Sequence, residues 1–383
     1  MGLPRYRETR GHSGRRARQR IRYAIVGLGH IAQDSVLPAF SNASGNSELA
    51  ALFSDDPSKL KTFGRTYQVE HLYDYNEFEQ GLREADIDAV YIALPNHLHE
   101  EYTIRAAREG VHVLCEKPLG VTAAQCRKMI SECRRNGVKL MTAYRLHFEP
   151  ANLEAIELLR SGKLGNSRVF NSLFAFQIAP GNVRLNREKG GGTLYDIGIY
   201  CINAARYLFQ AEPIEAFAMT SRGTDKRFKQ IEEMSSAVLR FPDDRIAAFT
   251  CSFGVTSHAE YHVLCTKGSL RLTNAYEYEG PIEVEILQDA QHKIHKHSNR
   301  DQFAPEIIYF SDCILKDKEP EPSGEEGLID VEIIQALYKS ARIGKTIKLP
   351  RFPRVKHPRP AQRFSIPPAR KPKLVHVHAP SRD

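Results

Sequence analysis

The stretch YAIVGLGHIA, residues 23–32, constrains this chain more than any other. A short β-branched apolar run breaks at Gly27-x-Gly29-x-x-Ala32, and a helically spaced segment, HIAQDSVLPAF, follows at once. Each small residue has a physical task. Gly27 permits a tight turn after a strand, Gly29 lets backbone approach a pyrophosphate, and Ala32 keeps the new helix close to the strand. The helix start offers unpaired N–H groups that favour an anion. Such a pattern is weak alone. Its place between a strand and a helix, in a first βαβ unit, gives it meaning. It predicts dinucleotide contacts from Gly27, Leu28, Gly29, His30 and Ile31.

The pattern downstream agrees. ELAALFS and DAVYIALP read as strands, the second as one buried on both faces. PSKLKTFGRTY starts a helix on Pro57, and TAAQCRKMISECRRNG is a helix capped by Thr122 and stopped by Gly137. VHVLCEKP and VKLMTAY are further strands. Strands alternating with helices predict an α/β Rossmann domain over 21–146. Beyond it, SRVFNSLFAFQI, MSSAVLRFP, RIAAFTCSF and AEYHVLCTKGSLRL alternate with period two. They predict an α+β domain over 147–350 with a large, mostly antiparallel open sheet, closed by helices near 302–316 and 325–343.

Two domains suit 383 residues. The net charge of +8 is misleading. Residues 1–20 hold seven Arg and one Glu, and residues 351–383 hold nine Lys or Arg and one Asp. The tails therefore carry +6 and +8, which leaves −6 for the body. A nucleic-acid face on the body is not expected. Both tails are expected to be disordered, the second because its seven prolines break any periodicity. A tail that wraps a neighbouring subunit is the main competing reading. The seven cysteines are scattered without a C-x-x-C, which predicts reduced thiols and a cytoplasmic protein. No apolar run approaches the roughly 20 residues of a membrane span.

The chemistry is expected at strand ends, where open parallel sheets bind ligands. Ser54 and Asp55 end the second strand, with Lys59 and Lys61 just inside the next helix. A small polar residue with nearby cations suits the 2′-phosphate of NADP, while the adjacent Asp keeps NAD open. Tyr75, Pro95, Asn96 and His99 are placed at the same edge. His97-x-His99 lacks a third ligand at metal-binding spacing, so no metal is expected. Glu116 and Lys117 of CEKPLG fall where a nicotinamide ring would lie. A lysine partly desolvated beside that cation is expected to have a depressed pKa. In GGGTLYDIGIYCINAARYL, Asp196 and Tyr200 lie four residues apart, on one face of an otherwise apolar helix. A carboxylate there is costly unless paired, and a tyrosine beside an ammonium can pass a proton. Arg184, upstream of the glycines, joins them as a substrate contact.

YAIVGLGHIA, DAVYIALPNHLH, HVLCEKPLG, AYRLHFEP, GGGTLYDIGIY and GEEGLIDVEIIQALYKSA together resemble the glucose–fructose oxidoreductase/inositol dehydrogenase (Gfo/Idh/MocA) family. The resemblance spans about 21–350 and is strongest to the glucose–fructose oxidoreductase branch. It implies hydride transfer between NAD(P) and a sugar or polyol carbon, and an open sheet that often forms interfaces between copies. It implies Lys117 as the catalytic lysine, Asp196 against the reacting sugar, and Tyr200 as acid/base where many members have His. It also implies Tyr144 and Arg145 as a lining of the substrate and nicotinamide region. Ser54, Lys59 and Lys61 match the 2′-phosphate site of that branch, with Asp55 where the branch has Gly. Competing readings are a trans-dihydrodiol dehydrogenase, a keto-sugar reductase, and a non-catalytic NADP(H)-binding regulator.

Overall fold

The computed structural model describes residues 19–289, 291–353 and 357–381, so nearly all of the basic arm expected at 1–20 lies outside the described residues. The first layer is built from β1 (Ile21–Val26), α1 (Leu37–Ala43), β2 (Ser47–Phe53), α2 (Pro57–Tyr67), β3 (His71–Tyr73) and α3 (Phe78–Glu84). It continues through β4 (Ala89–Ile92), α4 (His99–Arg108), β5 (His112–Glu116), α5 (Ala123–Arg135) and β6 (Leu140–Ala143). The six strands pair in parallel in the order β3-β2-β1-β4-β5-β6. This is the doubly wound sheet that the alternation predicts.

The unbroken apolar run of β4 has a simple cause. Val90 and Ile92 enter the core on one side of the sheet, and Ala89 and Tyr91 enter the core on the other. Each large apolar side chain so buried contributes about 1.5–3 kcal/mol. Helix α5 starts where the sequence places it. Thr122 accepts from the Gln125 amide at 3.2 Å, and the Gln125 side chain accepts from the Thr122 amide at 2.9 Å.

The second layer holds α6 (Pro150–Arg160), β7 (Ser167–Ala175), α7 (Ile199–Phe209), β8 (Glu215–Ser221), β9 (Met234–Phe241) and β10 (Arg245–Ser252). It continues with β11 (His258–Cys265), β12 (Gly268–Thr273), β13 (Ile282–Gln288), β14 (Gln291–His297), α8 (Ala304–Leu315), α9 (Gly324–Ile343) and β15 (Ile347–Lys348). Nine strands follow the order β14-β13-β12-β11-β7-β10-β9-β8-β15, antiparallel except for the central β7–β10 pair. In β9, Ser235, Ala237, Leu239 and Phe241 are buried and alternate with more exposed neighbours, as its period of two requires.

The last two helices fasten the layers together. α8 sends Ile307 and Phe310 into the core beneath β1, so it covers the first sheet although its sequence follows the second. α9 gives Val331 to the first layer and Ile333, Ile334 and Leu337 to the second. Between them runs a buried polar seam. Arg206, fully buried, lies 2.6 Å from Asp330, 3.0 Å from Glu326 and 2.5 Å from Glu212. A charge taken out of water needs such partners.

The C-terminal tail differs from the disordered arm expected of it. Residues 357–381 contain one short turn, a bend at His376 (φ +50°) and otherwise irregular backbone, yet they run along the body through specific hydrogen bonds. The contacts use backbone groups and isolated side chains, which leave no periodic trace in a sequence.

Candidate active site

The glycine turn closes as its spacing requires. Gly27 has φ +99°, a left-handed region that favours glycine, and a Cβ there would lie 2.8 Å from the Ala93 carbonyl oxygen. A Cβ on Gly29 would meet only that same oxygen, at 3.9 Å, so its backbone stays open to a ligand. The turn stands beside the ends of β1 and β4, where the strand order reverses, which is the ligand crevice of such sheets. A π-helical turn (Ala32–Val36) then leads into α1. These features fit a dinucleotide. Gly29, His30, Ile31, Pro95 and Asn96 line a cavity of about 950 Å³ between the two layers.

The far end of that cavity holds the charged cluster. Lys117 projects from the end of β5. It donates to the Asp196 backbone carbonyl at 2.8 Å and reaches Asp196 Oδ1 at 3.2 Å. The second Asp196 oxygen lies 2.7 Å from Arg184 Nε. The Lys117 ammonium stands 4.7 Å from the centre of the Tyr200 ring, and the Arg145 guanidinium lies 5.0 Å from the same ring. Glu116 accepts from the Tyr91 hydroxyl at 2.8 Å, and burial pushes its carboxyl up.

Local backbone explains why Asp196 sits there. Gly192 has φ +133°, and Gly191 packs so tightly on the Arg184 carbonyl that no Cβ fits. The glycine run thus folds the Arg184 loop beneath the helix. A π-helical turn (Leu194–Gly198) follows and leads into α7. Glu232 fastens its start, accepting from the Thr193 amide at 2.6 Å and from the Tyr338 hydroxyl at 2.7 Å. Asn96 donates to the Gly190 carbonyl at 2.9 Å and Tyr195 to the Val121 carbonyl at 2.7 Å, which dock this segment on the first layer.

The electrostatics follow from these contacts. Burial alone would raise the Asp196 pKa, but Arg184 and then Lys117 outweigh it and hold the carboxyl at about 2. Burial would lower the Lys117 pKa, but Tyr200 and Asp196 outweigh it and the net shift is upward. The depressed lysine expected from the sequence concerns a lysine beside a nicotinamide cation; the protein's own groups, taken alone, shift Lys117 upward. Its two partners stabilise the ammonium more than burial opposes it.

Of the expected site residues, Glu116, Lys117, Arg145, Arg184, Asp196 and Tyr200 meet at the cavity with the glycine turn. Ser54 caps the end of β2 and accepts from the Asp56 amide at 3.2 Å. Lys59 lies 4.0 Å from Asp56, beside Ser54, while Lys61 is exposed. Tyr75 packs edge-on to Tyr102 near the same strand end. Two expectations are corrected. His99 is fully buried, with its ring nitrogens 2.9 Å from the Leu94 and Pro118 carbonyls, so it fastens two strand-end loops instead of lining the cavity. Tyr144 turns away from the cavity and donates to Asp330 at 2.6 Å in the buried seam. Its neighbour Arg145 opens a 3₁₀ turn (Arg145–His147) just past the strand and takes the cavity side. The sequence reading missed Gln33, Asp34, Phe174, Tyr278 and the tail. Of these, Gln33 and Asp34 were signalled only by following the glycine turn.

A family model described as "Oxidoreductase family, NAD-binding Rossmann fold" matches residues 21–144, and "GFO/IDH/MocA C-terminal domain" matches residues 152–271. The chain belongs to the Gfo/Idh/MocA oxidoreductase family. A D-xylose 1-dehydrogenase [NADP(+)] of Haloarcula marismortui is 31% identical over 86% of this chain and 93% of the relative. The aldose–aldose oxidoreductase of Caulobacter crescentus, solved with glycerol, superimposes with a TM-score of 0.82 at 39% identity, covering 86% of this chain and 100% of that one. A 3-ketoreductase of Actinomadura kijaniata, solved with NADP and TDP-benzene, gives 0.77 at 26% identity, covering 84% and 98%. The chain is thus an NAD(P)-dependent oxidoreductase by family. Among the described residues no helix is long and apolar enough to cross a membrane.

Proposed function

We propose that this family member is an NADP-dependent oxidoreductase that moves hydride between the nicotinamide and a sugar carbinol carbon. One observation carries the reading. Lys117 from the first layer meets Asp196 at 3.2 Å and the Tyr200 ring at 4.7 Å, at the end of a cavity that begins at a dinucleotide turn. When bound, the oxidised cofactor supplies the hydride acceptor. Asp196, ionised, accepts a hydrogen bond from a substrate hydroxyl and orients the reacting carbon. Tyr200 accepts the carbinol proton as hydride departs while its own phenolic proton passes to solvent, and the relay runs backwards in the reverse direction. Lys117 stays protonated and stabilises the negative charge that develops on either oxygen.

NADP is favoured by Ser54 at the end of β2 with Lys59 in the first turn of α2, and the matched xylose dehydrogenase is named for that cofactor. A sugar is favoured by the names of the xylose and aldose–aldose relatives. Phe174 and Phe176 on the cavity wall favour an aromatic diol as a second reading, and a mouse trans-1,2-dihydrobenzene-1,2-diol dehydrogenase is 26% identical over 75% of this chain. All seven cysteines are unpaired, which suits a reducing, cytoplasmic setting. Copies of the chain would associate through the open sheet face, where Met219, Val238, Leu264 and Leu287 leave 68%, 40%, 38% and 48% of their surface exposed.

The test is a panel of aldoses, keto-sugars and diols with NADP and NAD, followed by nicotinamide absorbance. Lys117→Met and Tyr200→Phe should each lower turnover by about 10²-fold or more while NADPH still binds. Unchanged rates in both variants would end the assignment.

A further inference from the structure

The tail reaches the cavity by a route with three parts. Its first part is anchored away from the site. Gln362 donates to the Glu321 carbonyl at 3.2 Å, the Asp301 amide donates to the Ile366 carbonyl at 2.9 Å, and Asn42 donates to the Pro367 carbonyl at 3.0 Å. The second part crosses the cofactor end. Lys371 bridges Asp34 of the first layer, at 2.9 Å, and Glu279 of the second. Val375 and the fully buried Gln33 exchange two hydrogen bonds, amide to side-chain oxygen at 2.8 Å and side-chain nitrogen to carbonyl at 3.0 Å. His376 Nδ1 lies 2.7 Å from Asp56, next to Ser54 and Lys59. The third part returns to the second layer, where the Ala179 amide donates to the Pro380 carbonyl at 2.8 Å and Ser381 pairs with Ile178.

This path shares the cavity with the glycine turn and the charged cluster. Leu374, Ala379, Pro380 and Ser381 line it together with Gly29 and Lys117. The tail lines the space without filling it. About 950 Å³ remains with the tail in place, within the range of about 300–1,000 Å³ common to small-molecule and cofactor sites. Prolines 367, 368 and 372 stiffen the approach and reduce the freedom lost on seating it. The segment lies outside the residues matched by either family model.

We propose that residues 371–381 are part of the cofactor site, a strap that closes a dinucleotide into the cavity and holds it there between hydride transfers. Lys371 ties the strap across both layers. The Gln33–Val375 pair seats it beside the pyrophosphate turn, and His376 adds a third polar group to the Ser54–Lys59 end, where a 2′-phosphate would lie. The inference rests on the dinucleotide half of the proposed function and not on the sugar half.

The test compares the full-length wild type with a full-length Lys371→Ala/Val375→Pro/His376→Ala variant. Both are loaded with NADPH and chased with excess NADP, and release is followed by nicotinamide fluorescence. The proposal expects release at least tenfold faster in the variant, and less nucleotide retained through gel filtration. Circular dichroism and urea midpoints establish that it folds. A chain ended after Arg370, which keeps the Gln362, Ile366 and Pro367 anchors, gives a second reading if it does not. Equal release rates in the wild type and a folded variant overturn the proposal. Slower release from the variant also overturns it, because the tail would then be a plug. A wild type that holds NADPH under the strap yet oxidises no sugar in the panel would sink the sugar assignment and leave the strap standing.

Discussion

Asp196→Asn is the most informative single change beside the proposed Lys117–Tyr200 pair, because it removes one charge and keeps the shape. In the protein Asp196 faces Arg184 at 2.7 Å and Lys117 at 3.2 Å, and its side chain and that of Lys117 are only 13% and 11% exposed. Little solvent screening is available. The fall of its pKa from 3.8 to about 2 corresponds to roughly 2–3 kcal/mol of folding free energy at neutral pH. The sign follows from a depressed carboxyl. The stabilisation is present above the unfolded value of 3.8 and is lost as pH falls towards 2. Urea unfolding should therefore show the variant less stable by that amount at pH 7, and the gap should narrow near pH 3. A second readout is independent of folding. Asp196 is one of the groups that raise the Lys117 pKa, so in the variant the alkaline limb of kcat/KM should move to lower pH. Equal urea midpoints at pH 7, together with an unmoved alkaline limb, would refute the reasoning.

Two further outcomes test the corrections and the core. Tyr144→Phe removes the hydrogen bond to Asp330 and no cavity contact, so it should cost about 1–3 kcal/mol in urea unfolding with KM for substrate unchanged. A raised KM at full stability would return Tyr144 to the substrate site. Glu306 is fully buried with neither carboxyl oxygen hydrogen-bonded, and burial followed by the nearby Glu116 pushes its pKa well up. A raised carboxyl favours the fold most below its unfolded value, and that advantage declines as pH rises. Glu306→Gln should therefore flatten the loss of stability as pH rises above the ordinary carboxyl value of 4.5. An identical slope in the two proteins would show that Glu306 is not held neutral.

Much of this architecture was legible because repeating patterns report repeating contacts. The continuous run AVYI implied burial on both faces, and β4 indeed feeds two cores. The alternation of MSSAVLRF implied one covered face, which β9 has. The motifs at strand ends were legible for the same reason, since an open sheet collects its loops along one edge. What escaped is what has no period. AYR does not say which of Tyr144 and Arg145 turns inward, because that depends on where β6 ends. His99 follows a loop of the right kind, but its ring points beneath the loop, towards two carbonyls. The parallel β7–β10 pair within an antiparallel sheet needs long-range pairing that no local window contains. The tail reads as solvated because single contacts from Lys371, Val375 and His376 look like ordinary surface residues.

The charged cluster also settles a question of design. Lys117 belongs to one layer and Asp196 to the other, and their contact is flanked by Asn96–Gly190 and Tyr195–Val121, which join the same two layers. Separating the layers at this point breaks all three together. The pair expected to act on the substrate is thus also a fastening between domains, and a mutation of Lys117 acts on orientation as well as on charge. Methionine keeps much of the apolar stem and removes only the ammonium, whereas alanine removes both. If orientation mattered most, Lys117→Ala would weaken NADPH binding and turnover together. If charge matters most, Lys117→Met already removes the rate, with the other two contacts holding the layers in place. The geometry favours charge, because the two neighbouring hydrogen bonds, at 2.9 and 2.7 Å, do not involve Lys117 at all.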